Sequence, residues 1–354
     1  ILSVRKLKEL SDNLNVKKLP PVTYYLSTGC TILDLAIADR LPGGFGAGRI
    51  SHIYGLESSA KTMLIAEILR SAQAQGGMAY LIDSENSFDF ERAEELHDLD
   101  KSNMQYLSGD EDTFSIEKEY RRVISDLTIE TFFDGYLAGV LDSIKTNDVP
   151  CGFGIDSLSA IPSGTEVDEA VEKSSYGMTR AKSLSKGFRK YIWKLGKCNL
   201  GLVFVDQTRQ NVGVAFGKKY TFAGGEALKF YASTRVFVKT ESKIKNEYDK
   251  VVGINVSFNV DKNKIAPPFR TGVFRILFDY GIDDVGSNLQ WLNENDPDYI
   301  AGKGWYSFGR EKFRTLNDAI KYIEENRLED ALAQRVYEVW KLVYSKINRK
   351  RRRR

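Results

Sequence analysis

The chain has 354 residues, 42% of them hydrophobic and 28% charged, with a formal net charge of +3. That length suits one large core with smaller attachments. No run of 18 apolar residues appears, and the basic N-terminus lacks an apolar core followed by a cleavage site, so neither a membrane span nor a secretory leader is expected. Cys30, Cys151 and Cys198 lie far apart, and His52 and His97 are too few for a His-rich metal site, which points to a reducing, cytoplasmic setting. The tail Arg349–Arg354 alone carries six positive charges, leaving the rest of the chain acidic by three. Overall charge is therefore no argument for nucleic acid.

In chain order, residues 1–24 form an expected N-terminal arm. Val4, Leu7, Leu10 and Leu14 share one helical stripe that stops before Pro20-Pro21. Such a stripe is too short to bury itself and needs either its own core or a neighbouring subunit to cover it. The cluster Gly43-Gly-Phe-Gly-Ala-Gly48 then turns the chain into a strand at Arg49–Tyr54. Gly55-Leu56-Glu57-Ser58-Ser59-Ala60-Lys61-Thr62 follows, and Leu64, Ile65, Ile68 and Leu69 continue at helical spacing. Strand, small-residue loop and helix make a Walker A phosphate cradle, in which backbone N–H groups and Lys61 face a triphosphate and Thr62 holds Mg²⁺. Ala60 stands where the pattern has its second glycine, and alanine resists a positive φ.

Met78–Ile82 is a short apolar run ending in Asp83-Ser84-Glu85, which places polar groups at the carboxyl end of a parallel strand. Residues 116–146 read as helical in two pieces, interrupted at Asp134-Gly135. Cys151–Ile155 leads into Asp156, a Walker B pattern whose carboxylate would hold the magnesium through water, although Gly152 and Gly154 weaken it as a strand. Gly201–Val205 ends in Asp206-Gln207. Alternating strands and helices predict an α/β core with a mostly parallel, doubly wound sheet.

The run Asp206–Arg235, together with Ser27-Thr-Gly29, Tyr54–Thr62, Lys262–Phe269 and Gly304–Ser307, closely resembles the bacterial RecA recombinase family. Met178–Lys182 and Ala60 are more similar to the UvsX-type recombinases of phages. The resemblance spans roughly residues 25–308. It implies a RecA-like ATPase core over 25–280 and a small C-terminal domain over 281–348, while the basic tail over 349–354 departs from the acidic tail of the family's bacterial members.

It also implies roles. Glu85 would activate the attacking water, and Asp89 would contact the adenine, with Arg92 where the family has a stacking aromatic. Gln207 would sense the γ-phosphate. Lys262 and Lys264, two apart and so on one face of a strand, would reach the ATP of the adjoining subunit. DNA would be met by Lys182, Ser185 and Arg189 on one helical stripe and by the loop residues Arg209, Asn211, Val212, Thr221, Gly224 and Gly225. The acidic stretch Glu166–Ser175 matches the family poorly. Lys229, Phe230 and Arg235 would carry the subunit interface.

The implied cofactors are ATP and Mg²⁺. The implied partners are single-stranded DNA, homologous double-stranded DNA, further copies in a head-to-tail filament and a recombination mediator or ssDNA-binding protein. A ring helicase of the same fold and an ATP-switched DNA-binding protein with weak hydrolysis are the rival readings. If the chain is phage-encoded, its compartment is the host bacterial cytoplasm.

Overall fold

The computed structural model describes residues 19–85, 87–108, 127–145, 148–168, 176–210, 220–222, 225–298 and 305–345. The arm 1–18, most of the acidic stretch before Tyr176, Asn211, Val212, Gly224 and the arginine tail lie outside them.

A ten-stranded sheet organises the chain. Its strands are β3 (Arg49–Gly55), β4 (Ala79–Asp83), β5 (Met104–Ser108), β6 (Cys151–Asp156), β7 (Leu200–Gln210), β8 (Tyr220–Phe222), β9 (Thr234–Lys245), β10 (Val251–Asn263), β11 (Thr271–Leu277) and β12 (Gly281–Asp283). A two-stranded ribbon, β1 (Tyr25–Leu26) with β2 (Phe45–Gly46), precedes it. From β9 through β3, β7, β6 and β4 to β5 every pairing is parallel. β10, β11 and β12 extend the sheet antiparallel, and β8 folds back on the end of β7. The expected parallel core is present, with an antiparallel meander on one side.

β3, β4 and β6 are buried almost throughout, as strands covered on both faces must be. The first helices are α1 (Thr31–Ala38), α2 (Lys61–Ala74) and α3 (Phe90–His97). Leu64, Ile65, Ile68 and Leu69 of α2 are all buried, the stripe read from the sequence. The glycines of β6 do not weaken it. A Cβ at Gly154 would come within 2.8 Å of Ile65, and one at Gly152 within 3.1 Å of Leu69, so their bareness lets α2 lie close on the sheet. The expected break at Asp134-Gly135 is also corrected. The chain is helical from Ile129 to Ser143, and Phe132–Leu137 absorbs the irregularity as a π-helical stretch with Phe132, Phe133, Tyr136 and Leu137 buried.

On the other face, α4 (Tyr176–Leu195) packs through Leu184, Phe188, Tyr191 and Leu195, and α5 (Gly225–Tyr231) follows the β7–β8 hairpin. Beyond β12 come α6 (Asp284–Asn295), the ribbon β13 (Tyr306–Phe308) and β14 (Glu311–Phe313), then α7 (Leu316–Glu325) and α8 (Glu329–Ser345). Their buried residues, from Leu289 to Trp340, join the same apolar cluster as α1 and α2. Asp39 ties the two regions together. Its carboxylate accepts from Trp340 Nε1 at 3.0 Å and pairs with Arg270 at 3.0 Å, and Arg270 lies over the Trp340 ring. Among the described residues no helix is long and apolar enough to cross a membrane.

Trp340 is fully buried. Trp340→Ala is expected to cost about 3–5 kcal/mol in chemical denaturation. Because the cluster is shared, the C-terminal helices and the sheet should unfold in one transition. Two separated transitions by far-UV circular dichroism and Trp fluorescence would contradict a common core.

Candidate nucleotide and nucleic-acid site

Sheet register assembles the site. Gly55 at the end of β3 pairs with Gln207 on β7, and Tyr54 with Asp206. Asp156 pairs with Val205 on one side and Asp83 on the other. The carboxyl ends of four adjacent strands thus deliver Gly55, Gln207, Asp156 and Asp83 to one edge, where parallel sheets place ligands.

Leu56, Glu57, Ser58 and Ser59 form the turn that leads into α2 at Lys61. The first-turn N–H groups of this 14-residue helix have no intrahelical acceptors. Ser59 Oγ donates to Leu56 O at 2.6 Å, and Lys61 Nζ donates to Leu56 O at 2.7 Å, so the lysine folds over its own loop. Burial lowers the Lys61 pKa, against Asp156, Glu85 and Glu57, which raise it. Ala60 occupies the left-handed region at φ 66°, where the missing glycine would sit without strain. The sequence alone flagged the substitution, and the backbone keeps the loop geometry despite it.

Thr62 Oγ1 donates to Asp156 Oδ2 at 2.6 Å, the pairing a Walker A threonine and a Walker B aspartate need to share one Mg²⁺ shell. Burial pushes Asp156 up to about 6, aided by Glu85 and Asp83. A divalent cation would relieve that cost, so Thr62 and Asp156 fit the ion the motif implies.

Asp83 is a scaffold. Buried, it accepts the N–H groups of Glu85, Ser87 and Phe88 and the Tyr106 hydroxyl, at 2.7–3.2 Å, and so shapes the turn that presents Glu85. Glu85 is exposed and accepts from Ser157 Oγ at 2.5 Å. Asp89, also exposed, caps α3 by accepting from Arg92 N at 3.0 Å, and Arg92 reaches away to Phe278 O at 2.7 Å. Sequence reasoning missed Ser157, whose only signal was its place directly after Asp156.

A second omission is the buried group behind this edge. His52 Nε2 lies 3.0 Å from Asp206 Oδ2, and Arg235 Nε donates to His52 Nδ1 at 3.2 Å. With Nδ1 accepting, the imidazole proton sits on Nε2 and faces Asp206, the neutral form that burial favours. Arg235 stacks over Tyr54 at 4.4 Å. Arg235 is thus buried inside the protomer, its guanidinium held between His52 and the Tyr54 ring. Phe230 is 72% exposed and Lys229 is half-buried.

Lys262 lies on β10 opposite Arg235, which itself pairs with His52, three residues short of Gly55. Strand geometry sets it about 10 Å back along the sheet from the phosphate loop and two strands across. Its Nζ donates to Lys229 O and Phe230 O, both at 2.8 Å, capping α5. Burial lowers its pKa to about 8, with Lys264, Arg235 and Lys229 adding to the effect. Lys264 is the first residue beyond the strand and is exposed, and its N–H still bonds Ser233 O at 2.9 Å. The phosphate loop of its own protomer is out of reach of Lys262.

On α4, Lys182 and Arg189 are exposed and Ser185 half-exposed, along one stripe. Arg209 and Thr221 face each other across the β7–β8 ladder, and Gly225 starts α5. The chain between these strands thus springs directly from Gln207 and its β7 continuation.

A strand–loop–helix phosphate-loop motif and a Thr–Asp pair at the carboxyl edge of a parallel sheet are the arrangement of the P-loop proteins of the α/β class. The family model described as the RecA N-terminal domain matches residues 12–119 and 144–283. Protein RecA of Acinetobacter baylyi is 32% identical over 302 residues, 85% of this chain and 78% of that protein. Protein RecA of Fusobacterium nucleatum is 33% identical over 345 residues, covering 94% and 80%. Protein RecA of Crocosphaera subtropica is 31% identical over 316 residues, covering 88% and 82%. The chain belongs to the RecA family.

Two outcomes are expected here. Left-handed backbone costs about 1 kcal/mol or more for a residue with a Cβ, so Ala60→Gly should stabilise the protein by about 1 kcal/mol in urea titration. Asp156 binds its proton more tightly folded than unfolded, so without nucleotide its contribution to stability grows as pH falls from about 7 to 4. The gap between wild type and Asp156→Asn should therefore narrow by up to about 3 kcal/mol across that window. A pH-independent gap would show that the carboxylate is not buried as charged.

Proposed function

We propose that the chain is a DNA-dependent ATPase that assembles head to tail on single-stranded DNA. There it pairs the bound strand with homologous double-stranded DNA and exchanges strands. The observation that carries the reading is the Gly55–Gln207 pairing, which joins the phosphate loop to the root of the β7–β8 hairpin. A change of phosphate state at Gln207 is thereby one strand away from residues that would touch DNA. Membership of the RecA family supports the same reading.

In this reading Leu56–Thr62 and the α2 N-terminus hold the ATP phosphates, and Lys61 leaves Leu56 O to meet them. Thr62 and Asp156 hold Mg²⁺, which would offset the developing charge. Glu85, oriented by Asp83 and Ser157, positions the attacking water and accepts its proton. Lys262 and Lys264 serve the ATP of the next subunit, which agrees with the distance of Lys262 from its own loop. Lys182, Ser185 and Arg189, with Arg209, Asn211, Val212, Thr221, Gly224 and Gly225, would hold the first strand mainly by its phosphates. Phe230 and Lys229 would form the protomer contact. The lean toward a phage-type member rests on Ala60 and Met178–Lys182.

Lys262→Ala should lose about 10³-fold in DNA-stimulated ATP turnover while nucleotide binding persists. Unchanged turnover would end the assignment to the neighbour's site. Electron microscopy on single-stranded DNA with Mg²⁺ and a slowly hydrolysed ATP analogue should show continuous filaments only when nucleotide is present. Closed rings would favour a helicase. Glu85→Gln should abolish turnover yet keep the filaments.

A further inference from the structure

A cleft of about 540 Å³ opens between the antiparallel side of the sheet and the C-terminal helices. Glu241 of β9 and Asn255 of β10 line one wall, Trp291 and Glu294, three apart on α6, line another, and Tyr306 of β13 and Tyr344 of α8 complete it. That volume falls within the roughly 300–1,000 Å³ of pockets that take small ligands. The chemistry of the lining is one-sided. No lysine, arginine or histidine lines the cleft, and among the described residues neither Glu241 nor Glu294 is paired with a cation. Asn255 Nδ2 donates to Ser242 Oγ at 2.9 Å, which fixes the amide and leaves its Oδ1 buried without a donor. A buried acceptor left open in this way is destabilising until a donor reaches it. Trp291 rests on Trp340 with ring centroids 5.8 Å apart. The Arg270 guanidinium lies 4.7 Å from the Tyr344 ring centroid, and its charge is met by Asp39 at 3.0 Å.

We infer that this cleft is a binding site for a guanidinium group, presented by an arginine side chain. Glu241 and Glu294 call for positive charge, Asn255 Oδ1 calls for an N–H donor, and the flanking rings favour a flat cation that stacks. An anion would meet two carboxylates, and an apolar group would leave the amide oxygen open. A lysine ammonium carries the charge, but it is more strongly hydrated and has no plane to lay on a ring. Two sources of the group are within the same chemistry. One is the chain's own Arg349–Arg354, whose first residue stands four positions beyond Ser345, a reach of about 13 Å when extended. The other is an arginine carried by a separate molecule. None of the lining residues belongs to the nucleotide site, and the inference does not depend on the proposed function.

The test uses the full chain in two forms, the wild type and one in which every residue of Arg349–Arg354 is changed to Ser. A fluorescent peptide with the sequence of residues 349–354 and an all-lysine peptide of equal charge are titrated against each by anisotropy. The tail-substituted form should bind the arginine peptide about tenfold more tightly than the lysine peptide. In that form Glu241→Gln with Glu294→Gln should weaken arginine-peptide binding about tenfold, and Asn255→Ala about threefold. The same loss of two charges at Glu247 and Glu311, exposed and outside the cleft, should leave binding within about twofold. Weaker peptide binding to the wild type than to the tail-substituted form would identify the chain's own tail as the occupant. Equal binding to both would identify an arginine brought by another molecule. No peptide binding by the tail-substituted form, equal affinity for the two peptides, or an equal loss from the Glu247 and Glu311 changes would each overturn the inference.

Discussion

The constraint on which the rest depends is the parallel register of β3 with β7 and of β6 with β4. It brings Gly55, Gln207, Asp156 and Asp83 to one edge although they are scattered over 153 positions of sequence. That register is held by close packing. α2 settles against β6 because Gly152 and Gly154 leave room for Leu69 and Ile65. The same helix begins at the phosphate loop, so the packing that fixes its axis also aims its N-terminus.

Behind the edge, charge is buried in a linked set. Asp206 meets His52, His52 accepts from Arg235, and Arg235 stacks on Tyr54 and lies opposite Lys262. Removing one member of such a set leaves another charge in a low-dielectric interior, which costs several kcal/mol. The arrangement spans from the strand that ends in Gln207 to the strand that bears Lys262. The nucleotide edge and the proposed intersubunit edge therefore share a rigid core and not a flexible linker.

α5 is the other junction. It leaves the β7–β8 hairpin at Gly225 and ends at Tyr231, with its last carbonyls held by Lys262 Nζ and the Phe230 side chain exposed. A lysine that caps this helix in one protomer must release two hydrogen bonds to turn toward any other anion. The lowered pKa of Lys262 records chiefly its burial, and secondarily the cations Lys264, Arg235 and Lys229 around it.

The sequence by itself determined the Walker A loop, the strand-terminal carboxylates Glu85 and Asp156, the α2 stripe and the parallel core. These depend on residue type at fixed local spacing, where one peptide geometry satisfies the pattern. Only the tertiary structure decided that Asp83 serves as scaffold and that Arg235 is interior. It also decided that Gly152 and Gly154 aid packing, and that Lys262 caps α5. Each of those outcomes depends on a partner distant in the chain: Tyr106 for Asp83, His52 for Arg235, Ile65 and Leu69 for the glycines, Lys229 and Phe230 for Lys262. Burial and pairing are properties of the whole packing, and no local spacing encodes them.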